Sequence, residues 1–161
     1  MRRSMAALIL LGSFLLSACG AAGSPKIEIT DAWVRAASMS QRPAPSVAVV
    51  QPVALHAMGG AVTAGYMTIK NSGVASDNLI AAQSDVVGTV ELSLSQMKDG
   101  AMQTIPQQKI EVPANGQLKL EPNAYYLMMI GLKRDLAVGD KVNLTLTFEK
   151  SGQIKVVAEV R

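Results

Sequence analysis

The fold class that this chain predicts is all-β, an antiparallel sandwich or barrel, and three observations predict it. From Ala61 onward, short apolar or alternating runs are broken by Asn, Gly, Pro and Asp turns at intervals of about 8 to 12 residues. No stretch after the first nineteen residues carries a helical period of useful length. The one cysteine, Cys19, allows no disulfide within the chain, so the fold must stand on its apolar core, for which a 49% hydrophobic composition provides.

The chain opens on a targeting segment. Met1-Arg2-Arg3 is a short basic start, Met5 to Leu16 is apolar, and Leu16-Ser17-Ala18 leads with small residues into Cys19. The apolar run is too short for a spanning helix. The pattern resembles the lipobox of bacterial lipoproteins, which makes residues 1–18 a signal peptide and Cys19 the lipidated new N-terminus. Residues 19–25 are then a small, flexible tether, and residues 26–161 one domain. Discounting Arg2 and Arg3 leaves 13 basic residues against 12 acidic ones, so the basic balance of the whole chain belongs mostly to its leader. There is no basic patch with interleaved aromatics, and nucleic acid is excluded as a partner.

Lys26 to Arg35 alternates around Ile27 and Ile29 and reads as a first strand, with Trp33, the sole tryptophan, expected as a core anchor. Ala36 to Gly60 differs in kind: Pro43, Pro45 and Pro52 interrupt small residues, predicting a long loop with at most a short edge strand at Ser46 to Val50. Its end, Leu55-His56-Ala57-Met58-Gly59-Gly60, carries the only histidine. Strands follow at Ala64 to Lys70, Asn78 to Ala82, Gly88 to Ser95, Ala101 to Ile105, Lys109 to Val112, Gln117 to Leu120, Lys141 to Phe148 and Gln153 to Val160. Between Gln117–Leu120 and Lys141 lies Tyr125-Tyr126-Leu127-Met128-Met129-Ile130-Gly131-Leu132, a run of large apolar residues after a Pro-Asn turn. Neighbours in a strand point to opposite faces, so of Met128 and Met129 one fills the core and the other is free for another use.

Several short motifs agree in order with a known family. Gly65-Tyr66-Met67-Thr68-Ile69 with Asn71, then Asp77-Asn78-Leu79, Val90-Glu91-Leu92, Asp99-Gly100, Pro122, Leu127 to Leu132 and Leu144 to Gly152 together resemble the PCu(A)C family of extracytoplasmic copper chaperones. The resemblance spans Lys26 to Val160 apart from the loop at 36–60. It implies a cupredoxin-like antiparallel β-sandwich of Greek-key type. It also implies a protein that carries Cu(I) outside the cytoplasm and passes it to cytochrome oxidase or another copper-accepting exported protein.

The family's copper pattern, H-x10-M-x21-H-x-M, falls here on Ser93, Thr104, Tyr126 and Met128. The spacing is intact, but hydroxyls replace three of the four soft donors, and hydroxyl oxygen is a poor partner for Cu(I). A relocated site is one reading: His56-Ala57-Met58 repeats the H-x-M spacing and, with Met128, could hold the ion, with Met39, Met97 and Met102 as further donors. The other reading makes His56 a solvated loop residue and the methionines adaptable packing, leaving a copper-free module that binds another exported protein. Enzyme chemistry is not expected. A Ser-His-Asp hydrolase lacks its G-x-S-x-G elbow, zinc lacks its ligands, and Gly59-Gly60 lacks the Lys and helix of a phosphate loop.

Overall fold

The computed structural model describes residues 23–40, 60–98 and 100–161. They form ten strands: β1 Ile27–Val34, β2 Val62–Asn71, β3 Asp77–Ser84, β4 Val87–Lys98, β5 Ala101–Pro106, β6 Ile110–Val112, β7 Gly116–Leu120, β8 Tyr125–Leu132, β9 Lys141–Phe148 and β10 Gly152–Val160. Each answers a run read from the sequence. Cys19, His56, Met58 and the expected edge strand at Ser46 to Val50 lie outside the described residues.

The strands hydrogen-bond in the order β5-β4-β8-β7-β2-β1-β10-β9-β3-β6, with β8 also pairing β2. Among the described residues, parallel pairing is confined to β1 with β10 and to one residue pair between β7 and β8. The sheet curls until β3 packs against β4 and β6 against β7, which closes it around a core as a sandwich does. Phe148, Met67, Ile69, Leu79, Leu127, Met129, Leu144 and Leu146 are fully buried there. The alternation of these positions with polar ones is why the sequence folds this way: Val142, Leu144, Leu146 and Phe148 face in while Asn143, Thr145 and Thr147 lie between them.

Two buried polar side chains tie the turns to this core. Asn71 Oδ1 accepts from the Lys26 and Gly73 backbone N–H groups, each at 3.0 Å, while its amide donates to the Ala75 carbonyl at 2.8 Å. That fixes where the N-terminal tether joins β1. Gly73 makes the junction possible, because a Cβ there would run into the Ser24 carbonyl and the Pro25 backbone. Gly73→Ala is therefore expected to push residues 24–26 away and cost about 1–3 kcal/mol, measured by urea unfolding.

The second is Asp77. Its Oδ1 accepts from the Asn78 and Lys150 N–H groups at 2.8 and 2.9 Å, and its Oδ2 from the Ser151 N–H at 2.9 Å and the Ser151 hydroxyl at 2.6 Å. It thereby pins the turn between β9 and β10 to the start of β3.

One expectation fails. Between Thr30, opposite Thr68, and Trp33, opposite Tyr66, the two residues Asp31 and Ala32 oppose the single Met67. Asp31 adopts a left-handed backbone at φ 53° to allow this. The bulge reverses the in-out alternation of β1, so that Trp33 leaves the core side and lies half-buried on the outer face. It is not a core anchor; Val34, fully buried, takes that part.

Candidate functional site

The outer face that receives Trp33 is built by β1, β2, β8, β4 and β5. Residues directly opposite one another in a ladder share a face, and so do residues two apart on one strand. Trp33 stands opposite Tyr66, and Tyr126 opposite Ser93, which in turn is opposite Pro106. The Trp33 and Tyr66 ring centroids are 4.4 Å apart and those of Tyr66 and Tyr126 6.4 Å, so an aromatic row runs across β1, β2 and β8 and ends at Ser93. Its edges are polar: Arg35 reaches the Tyr66 hydroxyl at 3.4 Å, and the Thr104 and Tyr126 hydroxyls bond to each other at 3.1 Å. Met128, two residues beyond Tyr126, stands between Ala64 and Glu91 on the same face.

The structure thus brings together Ser93, Thr104, Tyr126 and Met128, the four positions on which the copper pattern fell. The two adjacent methionines divide as strand geometry requires: Met129 is fully buried in the core and Met128 half-buried on the outer face.

The donor set of this cluster does not suit Cu(I). One thioether is present. Thr104 and Tyr126 already spend their hydroxyls on each other, and the Ser93 hydroxyl is buried, with no hydrogen-bond partner. Burial pushes the Tyr66 phenol above its ordinary pKa, with Arg35 opposing and Tyr126 adding to the rise, so Tyr66 stays neutral and provides no phenolate. Among the described residues no three His, Cys, Asp or Glu side chains form a group that could hold a metal ion. The Thr104–Tyr126 bond is itself testable: Tyr126→Phe leaves Thr104 without its partner and is expected to cost about 1 kcal/mol in chemical denaturation.

The further candidates are not gathered around Met128. Met97 lies on β4, which runs past the predicted end at Ser95, and pairs directly with Met102 of β5. Both are on the outer face, but Met97 is six residues along β4 from Glu91, the partner of Met128, hence about 20 Å away. Met39 is exposed elsewhere, its N–H donating to Asp135 at 2.7 Å. Sequence reasoning missed the aromatic row, whose only signal was the bulge at Asp31, a residue type that tolerates the left-handed conformation more readily than most.

A curled ten-stranded sandwich is the fold that this chain shares with solved PCuAC domains. The chain superimposes on the "Apo PCuAC domain from PmoF1" with a TM-score of 0.63 and 21% identity, covering 84% of this chain and 93% of that one. For the "Copper-bound PCuAC domain from PmoF2" the values are 0.62, 20%, 84% and 92%. A third structure, Cu(I)-DR1885 from Deinococcus radiodurans, matches with a TM-score of 0.53 and 26% identity over 89% of this chain and 83% of that one. The sequence itself matches the family described as "Putative lipoprotein LpqE-like" over residues 27–160, and the chain belongs to that family. A relative from Leifsonia xyli subsp. xyli (strain CTCB07), "Putative lipoprotein Lxx21020", is 27% identical over 137 residues, covering 84% of this chain and 69% of its own length.

Proposed function

We propose that this protein is an extracytoplasmic copper-handling lipoprotein, anchored to its membrane through Cys19, that binds Cu(I) at a relocated site of Met128, His56 and Met58. It passes the ion to cytochrome oxidase or another copper-accepting exported protein. The likeness to Cu(I)-DR1885 supports the cargo, and membership of the LpqE-like family supports the anchor. Binding and release, not bond-making, is the chemistry, so no catalytic residue is assigned.

One observation carries the relocation. The segment that bears His56 and Met58 leaves and rejoins the fold beside the C-terminal end of β8. Before it, Ala37 bridges Leu136 and Met39 bonds Asp135; after it, a Cβ on Gly60 would meet the Gly131 Cα at 2.7 Å. Met58 is two residues from Gly60, at most about 7 Å of chain, and Met128 three residues from Gly131, roughly 10 Å. Imidazole and thioether are the donors that Cu(I) prefers, and a site of few ligands suits an ion that must be handed on.

The second reading, a copper-free module that binds another exported protein, draws support from the Thr104–Tyr126 bond, which closes the usual ligand positions with hydroxyls. A competitive Cu(I) titration of the full chain in detergent, against a chromophoric chelator under reducing conditions, separates the two. Competition for Cu(I) that is weakened at least about tenfold, or roughly 1.4 kcal/mol, in both His56→Ala and Met128→Ala is the expected result. Absence of competition by the unsubstituted chain would favour the module.

A further inference from the structure

From the β4–β5 hairpin we infer a second soft-metal site, made by the thioethers of Met97 and Met102. It takes the identity of the ion from the function proposed above but stands on other residues. Met97 and Met102 are direct cross-strand partners, one pair before the closing pair Lys98 and Ala101. The Asp-Gly that joins the strands is the sequence of a tight two-residue hairpin, and Gly100 takes the left-handed backbone such a turn requires, at φ 80°.

Side chains directly opposed in an antiparallel ladder have Cβ atoms about 4.5–5.5 Å apart. Each methionine adds three rotatable bonds beyond that, so both sulfurs can come to lie about 2.3 Å from one ion, the usual metal–sulfur distance.

The surroundings favour this use over packing. Met97 is 66% exposed, among the few large apolar side chains so placed among the described residues, and Gln96 and Lys98 beside it are also exposed. Met102 is half-buried, but the exposed Met97 gains little from burial, and threonine or valine there would serve the strand better. The next pair on this face, Ser95 and Thr104, offers no soft donor, and Thr104 is already bonded to Tyr126. The site is therefore a two-thioether one, open to solvent on its remaining side. Thioether-only coordination selects a soft monovalent ion and rejects hard divalent ones. It lies about 20 Å from Met128, so it cannot be part of the site proposed above.

The test is methyl-13C NMR of the full chain in detergent micelles, labelled on the methionine methyls, with Ag(I) as the redox-stable probe and Cu(I) under reducing conditions as the second. The Met97 and Met102 methyl signals are expected to shift together and saturate at one equivalent. Met97→Leu with Met102→Leu, a volume-conserving change, should remove that equivalent while Met128→Leu retains it.

Shifts at Met128 with Met97 and Met102 unmoved would overturn this inference and leave the proposed function standing. Shifts at Met97 and Met102 with Met128 unmoved would support it and remove Met128 from the cargo site. If no methionine signal moves, both fall.

Discussion

Asp77→Ala is expected to destabilise the fold by about 3–4 kcal/mol, read from the midpoint of urea unfolding at neutral pH. The carboxylate is fully buried and accepts four hydrogen bonds, three of them from backbone N–H groups at the start of β3 and in the turn between β9 and β10. Removing the acceptor leaves those donors facing a cavity, and each buried donor left unmatched costs about 1–3 kcal/mol, reduced where the turn can relax toward water. Asp77→Asn keeps one oxygen but turns an amide towards two of the donors, so about 2 kcal/mol is expected for it.

The pH dependence has a definite sign. Burial alone would raise the Asp77 pKa, but the Ser151 hydroxyl and the N–H groups of Lys150, Asn78 and Ser151 outweigh it and hold the value below the ordinary 3.8. A carboxyl lowered in the folded state contributes stability that is fully present above the unfolded value, and this contribution is lost as pH falls through the folded one. Asp85 is also lowered, through its bond from the Asn143 amide, and Asp140 through its bond from Arg134. The unsubstituted chain should therefore lose stability from about pH 4 downward, and Asp77→Asn should show a shallower acid limb. Equal acid limbs in the two proteins would mean that Asp77 is not the carboxylate responsible.

The same contact explains why two distant motifs go together. Asp77-Asn78-Leu79 and Lys150-Ser151-Gly152 are far apart in sequence and one hydrogen-bonded unit in space. Strand positions were legible because polar and apolar residues alternate and turn residues end each run, as in Lys141 to Phe148, which is strand over its whole predicted length. The side on which Trp33 lies was not legible. Ile27 and Ile29 set an alternation that carries Trp33 inward, and only a bulge, formed here at an Asp and not a Gly, turns it out. Nor could the ends of β4 be read from local pattern. Gln96-Met97-Lys98 resembles the approach to a turn, and the cross-strand pairing with Gln103, Met102 and Ala101 extends the strand through it. Of the site, the division of Met128 from Met129 followed from strand geometry alone, whereas the convergence of Ser93, Thr104 and Tyr126 rested on family spacing that the ladder then reproduces.

That convergence makes a gain of binding the more demanding test of the outer face. The combined change Ser93→His, Thr104→Met and Tyr126→His would place imidazole, thioether and imidazole beside Met128, the donor types that Cu(I) prefers. Ser93 and Tyr126 are direct cross-strand partners, and Thr104 already lies within hydrogen-bond distance of Tyr126, so the backbone needs no rearrangement to bring the new donors together. We expect Cu(I) affinity, measured by chelator competition, to rise about 100-fold or more, equivalent to roughly 2.7 kcal/mol. The cost falls on packing: Ser93 is only 1% exposed, and a larger ring there should lower stability by about 1–3 kcal/mol. Single changes separate the contributions. Thr104→Met alone adds one thioether and also frees the Tyr126 hydroxyl, so it should gain least, whereas Tyr126→His alone sets an imidazole two residues from Met128 and restores the H-x-M pair. A triple variant that folds and still binds no more tightly than the unsubstituted chain would show that hydroxyls at these positions are not what limits Cu(I) binding on this outer face.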